Sequence, residues 1–297
     1  MDPAFFALQL SSFPDIRSLR AQWKPVKNPQ ALASFIRKID LLPVIDTHKI
    51  GILYAAPGQT NEIEILGNTH GSPAYTRFLG GLGRLIKIGG QHDVYVGGLS
   101  PDEDGDYAYA WWDDIGQMLF HTATLMPNHE YDEQFSMKKS HIGNDSVRIV
   151  WNDSGSPYKF DTLMTDFQFV NIVIEPHSRG VIAAYSNNLH ENEYFRITIQ
   201  QADGMVQFTP VGDFKIVSAA CLPLFVRQLA LVADYYASIF KDTIRDTERK
   251  DIPTNWRARL EAIKDFSNNI PSPIEVVPIE DTGIVGQESL RDFTPWY

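Results

Sequence analysis

The residues best placed to do chemistry lie in one stretch, KKSHIGNDSVRIVWNDSG, from Lys138 to Gly155. It sets Asn144 at the end of a short polar segment, directly before an apolar run that reads as a strand. An asparagine carboxamide offers an acceptor oxygen and donor hydrogens without charge. Such a group can orient a water molecule or a polar substrate atom, but it cannot act as a general base. His141 and Asn144 are spaced i,i+3, as are Lys138 and His141, so each pair shares a helix face. His141 is therefore a candidate to support Asn144 or to touch a partner. Lys138 and Lys139 could form a small basic patch, and Asp145 adjoins the candidate. Gly143-Asn144 is also an ordinary helix stop, because glycine tolerates the left-handed conformation and asparagine often replaces it. Asn152 and Asp153, in the NDSG that closes the segment, are expected to fix a turn rather than to react.

Other chemistries find no support. No G-x-x-x-x-G-K-[ST] phosphate loop exists, and Gly80-Gly81-Leu82-Gly83 lies inside a helical pattern without dinucleotide-loop spacing. That cluster is expected to allow close helix packing. The segment PDEDGD lacks the order of a calcium loop and reads as a solvated hairpin turn. The eight histidines are scattered without zinc-site spacing. No G-x-S-x-G elbow is present. The net charge of −11 argues against a general nucleic-acid binder. One cysteine, Cys221, allows no intrachain disulfide and is expected to be a small buried residue. The most apolar stretch, 222–240, carries Arg227 and Asp234, and its apolar residues recur at helical spacing. It reads as the buried face of an amphipathic helix, not as a membrane span.

The elements that must position Asn144 follow from hydrophobic period and turn residues. Strands are expected at 4–10, 47–56, 93–99, 107–115, 117–126, 147–151, 167–175 and 194–200. The third and fourth would form a hairpin through PDEDGD. Helices are expected at 29–42, 73–86, 222–245 and 254–266, and an extended tail from residue 271. Strands in the middle with helices toward both ends imply a mixed α/β fold, a central mixed sheet flanked by helices.

Beyond HIGND and NDSG, the blocks DTHKIGILY from Asp46, EILGN from Glu64, FLGGLGRLI from Phe78, VYVGGL from Val94, WWDDI from Trp111 and FHTATLMP from Phe120 occur in one order. LPLFVRQLAL from Leu222 and NWRARLEAIK from Asn255 follow. Together they resemble the Rap/Ran-GAP-type family of GTPase-activating proteins, over roughly residues 4–266, and within it the Rheb-directed tuberin branch. The resemblance implies a Rap-GAP-type catalytic domain at 46–270, a reduced dimerisation-like segment at 1–45 and a tail at 271–297. Members of this branch are far longer, so the chain is expected to match a C-terminal portion of one. Asn144 would be the catalytic asparagine thumb, inserted in trans into a GTP-loaded small GTPase of the Rheb type. His141, Lys138, Lys139 and Asp145 would support it or meet the partner, and Gly143, Asn152 and Asp153 would shape the surrounding turns. The chain would be an activator rather than an enzyme in its own right. It would hold no cofactor, GTP and Mg²⁺ being bound by the partner. Hamartin would bind outside this chain, a homodimer stays open, and neither nucleic acid nor membrane insertion is implied. The place of action would be the cytoplasm, with peripheral association at the lysosomal or vacuolar surface. Ser140 stands where these relatives usually carry an arginine, so a catalytically silent scaffold of the same fold is the alternative.

Overall fold

The computed structural model describes residues 29–40, 42, 45–90, 94–114, 116–179, 193–245 and 254–269. The expected strand at 4–10 and tail from 271 lie outside them. The chain divides into two units, Pro43–Ala258 and a second of Met1–Leu42 with Arg259–Tyr297. In the second unit, helix α1 (Pro29–Asp40) stacks Phe35 on Phe266, with ring centroids 4.0 Å apart. Arg259 there donates to the Ile39 and Leu42 carbonyls, capping the end of α1.

The larger unit is built on one eight-stranded sheet. Its strands are β1 (Asp46–Ala55), β2 (Arg84–Lys87), β3 (Tyr107–Trp112), β4 (Gly116–Thr122), β5 (Val147–Asn152), β6 (Val170–Arg179), β7 (Glu193–Gln201) and β8 (Lys215–Ser218). The spatial order is β2-β3-β4-β1-β5-β6-β7-β8. The four central strands, β4, β1, β5 and β6, run parallel, and antiparallel pairs close both edges. Parallel strands are covered on both faces, which explains why β4 and β5 are buried along their whole length.

The sheet's period of two divides the core. Ile50, Ile52 and Tyr54 of β1, with Val147, Ile149 and Trp151 of β5, face one cluster. That face is covered by α3 (Pro73–Leu82) and α6 (Leu222–Arg245). Leu53, Ala55 and Val150 face the other, covered by α2 (Glu62–Leu66) and α5 (Ser136–Ile142). A short helix α4 (Pro101–Asp104) precedes β3, and α7 (Asn255–Asn269) is the last helix among the described residues. Ser72 caps α3 by accepting from the Tyr75 amide, with Pro73 at the first helical position.

Several expectations are corrected. The helix expected at 73–86 stops at Leu82, and Arg84–Lys87 turns into an edge strand. Gly83 is extended at φ −160°, and a Cβ there would lie 2.8 Å from the Ala110 carbonyl, so close strand approach ends the helix. β3 consequently pairs with β2 on one side and β4 on the other, not with residues 93–99. PDEDGD is no hairpin turn: its first four residues form α4, and Asp104 is buried. β8 had no counterpart in the sequence reading, since KIVS is too short to show a period. Cys221 is exposed, because it sits where α6 begins and its carbonyl accepts from the Phe225 amide. Gly81 does mark close helix packing, its absent Cβ leaving room for Pro223 of α6. Among the described residues, no helix is long and apolar enough to cross a membrane.

Candidate functional site

Asn144 lies two residues past the end of α5, in the tight connection to β5. It is exposed, whereas Gly143 and Asp145 on either side are buried. Its amide donates to the His141 carbonyl at 3.1 Å, closing one more tight turn. Its side-chain Nδ2 donates to the Ser140 carbonyl at 2.6 Å. A carbonyl can only accept, so this bond fixes which end of the carboxamide faces the helix. The Oδ1 end is left for another group.

The turn is held from beneath by a row of residues across the sheet. His121 of β4, Gly51 of β1 and Arg148 of β5 are register neighbours on three adjacent parallel strands. Glycine in the middle is a steric requirement. A Cβ on Gly51 would lie 2.9 Å from Ile142 Cγ2 and 3.5 Å from Asp145 Oδ2. Without that space the α5–β5 turn could not settle onto the sheet.

Arg148 is fully buried. It donates through Nε to the Ile142 carbonyl at 3.2 Å and through Nη1 to the Leu163 carbonyl at 2.6 Å. Its Nη2 reaches the Gly143 carbonyl at 3.4 Å and the Thr165 hydroxyl. Thr165 Oγ1 donates to the same Gly143 carbonyl at 2.8 Å. The last carbonyls of a helix lack intrahelical partners, and a guanidinium with five donors can serve several of them. Burial lowers the Arg148 pKa from its ordinary value, with nearby acidic groups opposing that shift.

On the other side of Gly51, His121 Nδ1 donates to Asp145 Oδ2 at 2.7 Å, and both side chains are buried. Burial pushes the Asp145 carboxyl up, and the His121 bond and charge oppose the shift without cancelling it. The His121 ring lies 5.2 Å from that of His141, whose Nε2 meets Asp104 Oδ1 at 2.9 Å. That contact ties α4 to α5, and Asp104 also accepts from the Ser100 amide at the start of α4 at 2.8 Å.

The start of α5 is equally determined. Asp132 accepts from the Ser136 and Met137 amides, both at 2.8 Å. Those two bonds hold its carboxyl below the usual carboxylate range. Phe135 adopts φ 53°, the left-handed region, with its ring packed against the second core cluster. A bulky residue there stores about 1–3 kcal/mol of strain, tolerable only because its surroundings dictate it.

At the far end of β5, Asn152 donates to the Ser156 carbonyl and Glu175 Oε1. It accepts from the amide and hydroxyl of Ser154. Asp153 accepts from Trp151 Nε1 at 3.0 Å.

The chain that carries this mixed sheet and this turn has known relatives. The Rap/ran-GAP family profile matches residues 65–265. The tuberous sclerosis 2 protein homolog of Schizosaccharomyces pombe is 36% identical over 241 residues, 80% of this chain and 17% of that protein. The human Ral GTPase-activating protein subunit alpha-1 is 31% identical over 215 residues, 72% of this chain and 10% of that one. The chain thus spans a small part of the length of these curated relatives. A solved structure of the TSC2 GAP domain matches with TM-score 0.60 and 42% identity, covering 66% of this chain and 100% of that chain.

This chain belongs to the Rap/ran-GAP family.

Against that family frame the residues singled out in the sequence divide clearly. Asn144 is the exposed one. Gly143 does cap the end of α5, but in a right-handed conformation at φ −67° rather than a left-handed one. Its need for glycine is steric, since a Cβ would sit 2.5 Å from the Lys139 carbonyl and 2.9 Å from Thr165 Cγ2. Lys138 was expected on a basic surface patch, and that expectation is corrected. It is 2% exposed and donates to the Leu66 carbonyl at 3.0 Å, because its position on α5 faces α2 and the core. Burial lowers its pKa to about 8. Lys139 pairs with Glu62 of α2 at 2.6 Å. The sequence reading of this Rap/ran-GAP chain missed His121, Asp104, Thr165 and Arg148 as parts of the site. The available signal was polar residues inside otherwise apolar strands, GQMLFHT and VRIVWN, where a buried charge must find partners.

Proposed function

We propose that this chain accelerates GTP hydrolysis by a small GTPase of the Rheb type, inserting Asn144 into the partner's active site. The observation that carries the reading is Asn144 itself. It is exposed between two buried neighbours, on a turn braced by Arg148, Thr165 and the sheet. Small GTPases hydrolyse GTP slowly because the attacking water is poorly positioned and the developing charge poorly compensated. With one N–H held by the Ser140 carbonyl, Oδ1 is available to accept from that water. The second N–H can donate toward the γ-phosphate. The carboxamide contributes orientation and preorganisation, not charge. GTP and Mg²⁺ belong to the partner.

Three arginines already engaged elsewhere in the fold support a thumb without an arginine finger. Arg148 is buried beneath the turn, Arg77 pairs with Glu193, and Arg84 lies over the Trp112 ring. Ser140, in the position where an arginine is usual, donates its hydroxyl to the Met137 carbonyl. Rheb is favoured as partner by the likeness to the tuberin branch and to the TSC2 GAP domain.

The test is single-turnover hydrolysis on GTP-loaded Rheb, Ral and Rap with increasing amounts of the chain. Strongest stimulation on Rheb is expected. Stimulation of Ral or Rap alone would reassign the partner. Binding to a GTP-loaded GTPase with no stimulation would establish the scaffold reading instead.

A further inference from the structure

We propose that His121 is a positioning residue for the thumb, acting through Asp145; the inference rests on the thumb reading above. Among the described residues, the Asn144 side chain is anchored only to the Ser140 carbonyl on the same turn. Its placement relative to the body of the protein must come from the backbone on each side. Before it, Gly143 is clamped by Arg148 and Thr165. After it, Asp145 carries a side chain turned inward, and His121 Nδ1 holds Oδ2 of that side chain at 2.7 Å.

Two glycines border this pair. A Cβ on Gly51 of β1 would press on Ile142 at 2.9 Å and come into ordinary contact with Asp145 Oδ2 at 3.5 Å. Gly97, at φ 66°, lies on the other side of His121, and a Cβ there would sit 2.8 Å from Nε2. The conformation and the gap each favour glycine. The polar side chains of the pair are incompletely satisfied. Among the described residues, Asp145 Oδ1 and His121 Nε2 are buried without a hydrogen-bond partner. A buried pair of this kind is a poor way to stabilise a fold, since apolar residues of similar volume often do as well or better. What it supplies is direction. A single short hydrogen bond between a central strand and the residue after Asn144 sets where the turn sits. Positioning catalysis is sensitive on that scale, where about 1 Å can cost about 10²-fold.

A role through the thumb is separable from a role in stability. Histidine Nδ1 and asparagine Nδ2 occupy equivalent places on the side chain, so His121→Asn keeps a donor to Asp145. His121→Gln carries its amide one bond further out, toward the Nε2 position, and loses the bond. Both are polar and close in size to histidine, which favours folding, and thermal unfolding checks it. The assay is single-turnover hydrolysis on GTP-loaded Rheb, with the maximal rate and the half-saturating concentration measured separately. His121→Gln is expected to lower the maximal rate about tenfold or more, while half-saturation moves less than about threefold. His121→Asn is expected to recover most of the rate. In an Asn144→Ala background, His121→Gln should add almost nothing, because the two residues act as a unit.

Equal losses in both backgrounds would overturn the proposal, as would asparagine and glutamine behaving alike. A change in half-saturation alone would also overturn it. If Asn144→Ala kept the wild-type rate, the thumb reading itself would fail. If only His121→Gln did so, the thumb would stand and the positioning role would fall.

Discussion

The triplet Asn-Asp-Ser occurs at both ends of β5, as Asn144-Asp145-Ser146 and as Asn152-Asp153-Ser154. The two copies do opposite things. At the N-terminal end the asparagine is exposed and the aspartate is buried against His121. At the C-terminal end the asparagine is buried, with hydrogen bonds to Ser154, Ser156 and Glu175, and the aspartate is partly exposed beside Trp151. Six strand residues at ~3.3 Å each separate them by roughly 20 Å. The first copy follows a helix whose end is clamped to the sheet, so its asparagine is presented outward. The second opens a turn that must satisfy its own backbone, and its asparagine is consumed in doing so. Identical side chains thus become a reactive candidate or a structural pin according to which of their hydrogen bonds the chain already uses.

The largest expected effect breaks the exposed copy. Asn144→Ala should lower the maximal single-turnover rate on GTP-loaded Rheb by roughly 10²–10⁴-fold. Unfolding stability should fall by only ~1 kcal/mol, the worth of one helix-end hydrogen bond. A folded Asn144→Ala protein of near-normal activity would remove the contrast between the two triplets. Asn144→Asp should do no better than alanine, because it loses the donors and brings a negative charge toward the γ-phosphate. If it matched wild type, the donors of the carboxamide would be dispensable and the orientation mechanism would fall.

A smaller loss is expected for Asn144→Gln, which keeps the carboxamide but moves it ~1.5 Å, a displacement that can cost about 10²-fold. It should fall between wild type and alanine in the same assay.

The buried copy should respond in stability rather than in rate. Asn152→Ala leaves Glu175 and Ser154 without their partner, at about 2–3 kcal/mol in urea unfolding. The maximal rate of the folded fraction should stay within roughly threefold, given the ~20 Å to Asn144. A rate loss as large as that of Asn144→Ala would mean that both triplets serve the reaction.

The smallest effect concerns Lys138 on the helix leading to the exposed copy. Its pKa of about 8 in the fold lies below the ordinary 10.5. Between those values the unfolded chain holds more protons than the folded one, so stability rises with pH. Below about pH 8 the penalty for burying the charge is fully present. Wild type should therefore gain stability relative to Lys138→Met as pH is raised from about 8 to above 10. A flat difference across that range would place the ammonium in contact with water.

Some of this was legible in the residues alone. The apolar periods of α1, β1, β5 and α6 set those elements, because a strand or helix buried on a continuous face must show its period. The order of the blocks around HIGND and NDSG carried the family, and the uncharged amide at Asn144 limited its chemistry to orientation. Packing decided the rest. FLGGLGRLI has a helical pattern throughout, yet contact of Gly83 with the Ala110 carbonyl cuts it into helix and strand. PDEDGD has the composition of a solvated turn, yet Asp104 is buried against His141. The row His121, Gly51 and Arg148 comes from three separate segments, and only the register of three parallel strands makes them neighbours. Local sequence specifies backbone preference and the side of a strand or helix that must be buried. Which charges meet beneath that surface, and which of two identical asparagines is left with a free oxygen, depends on contacts between residues far apart in the chain.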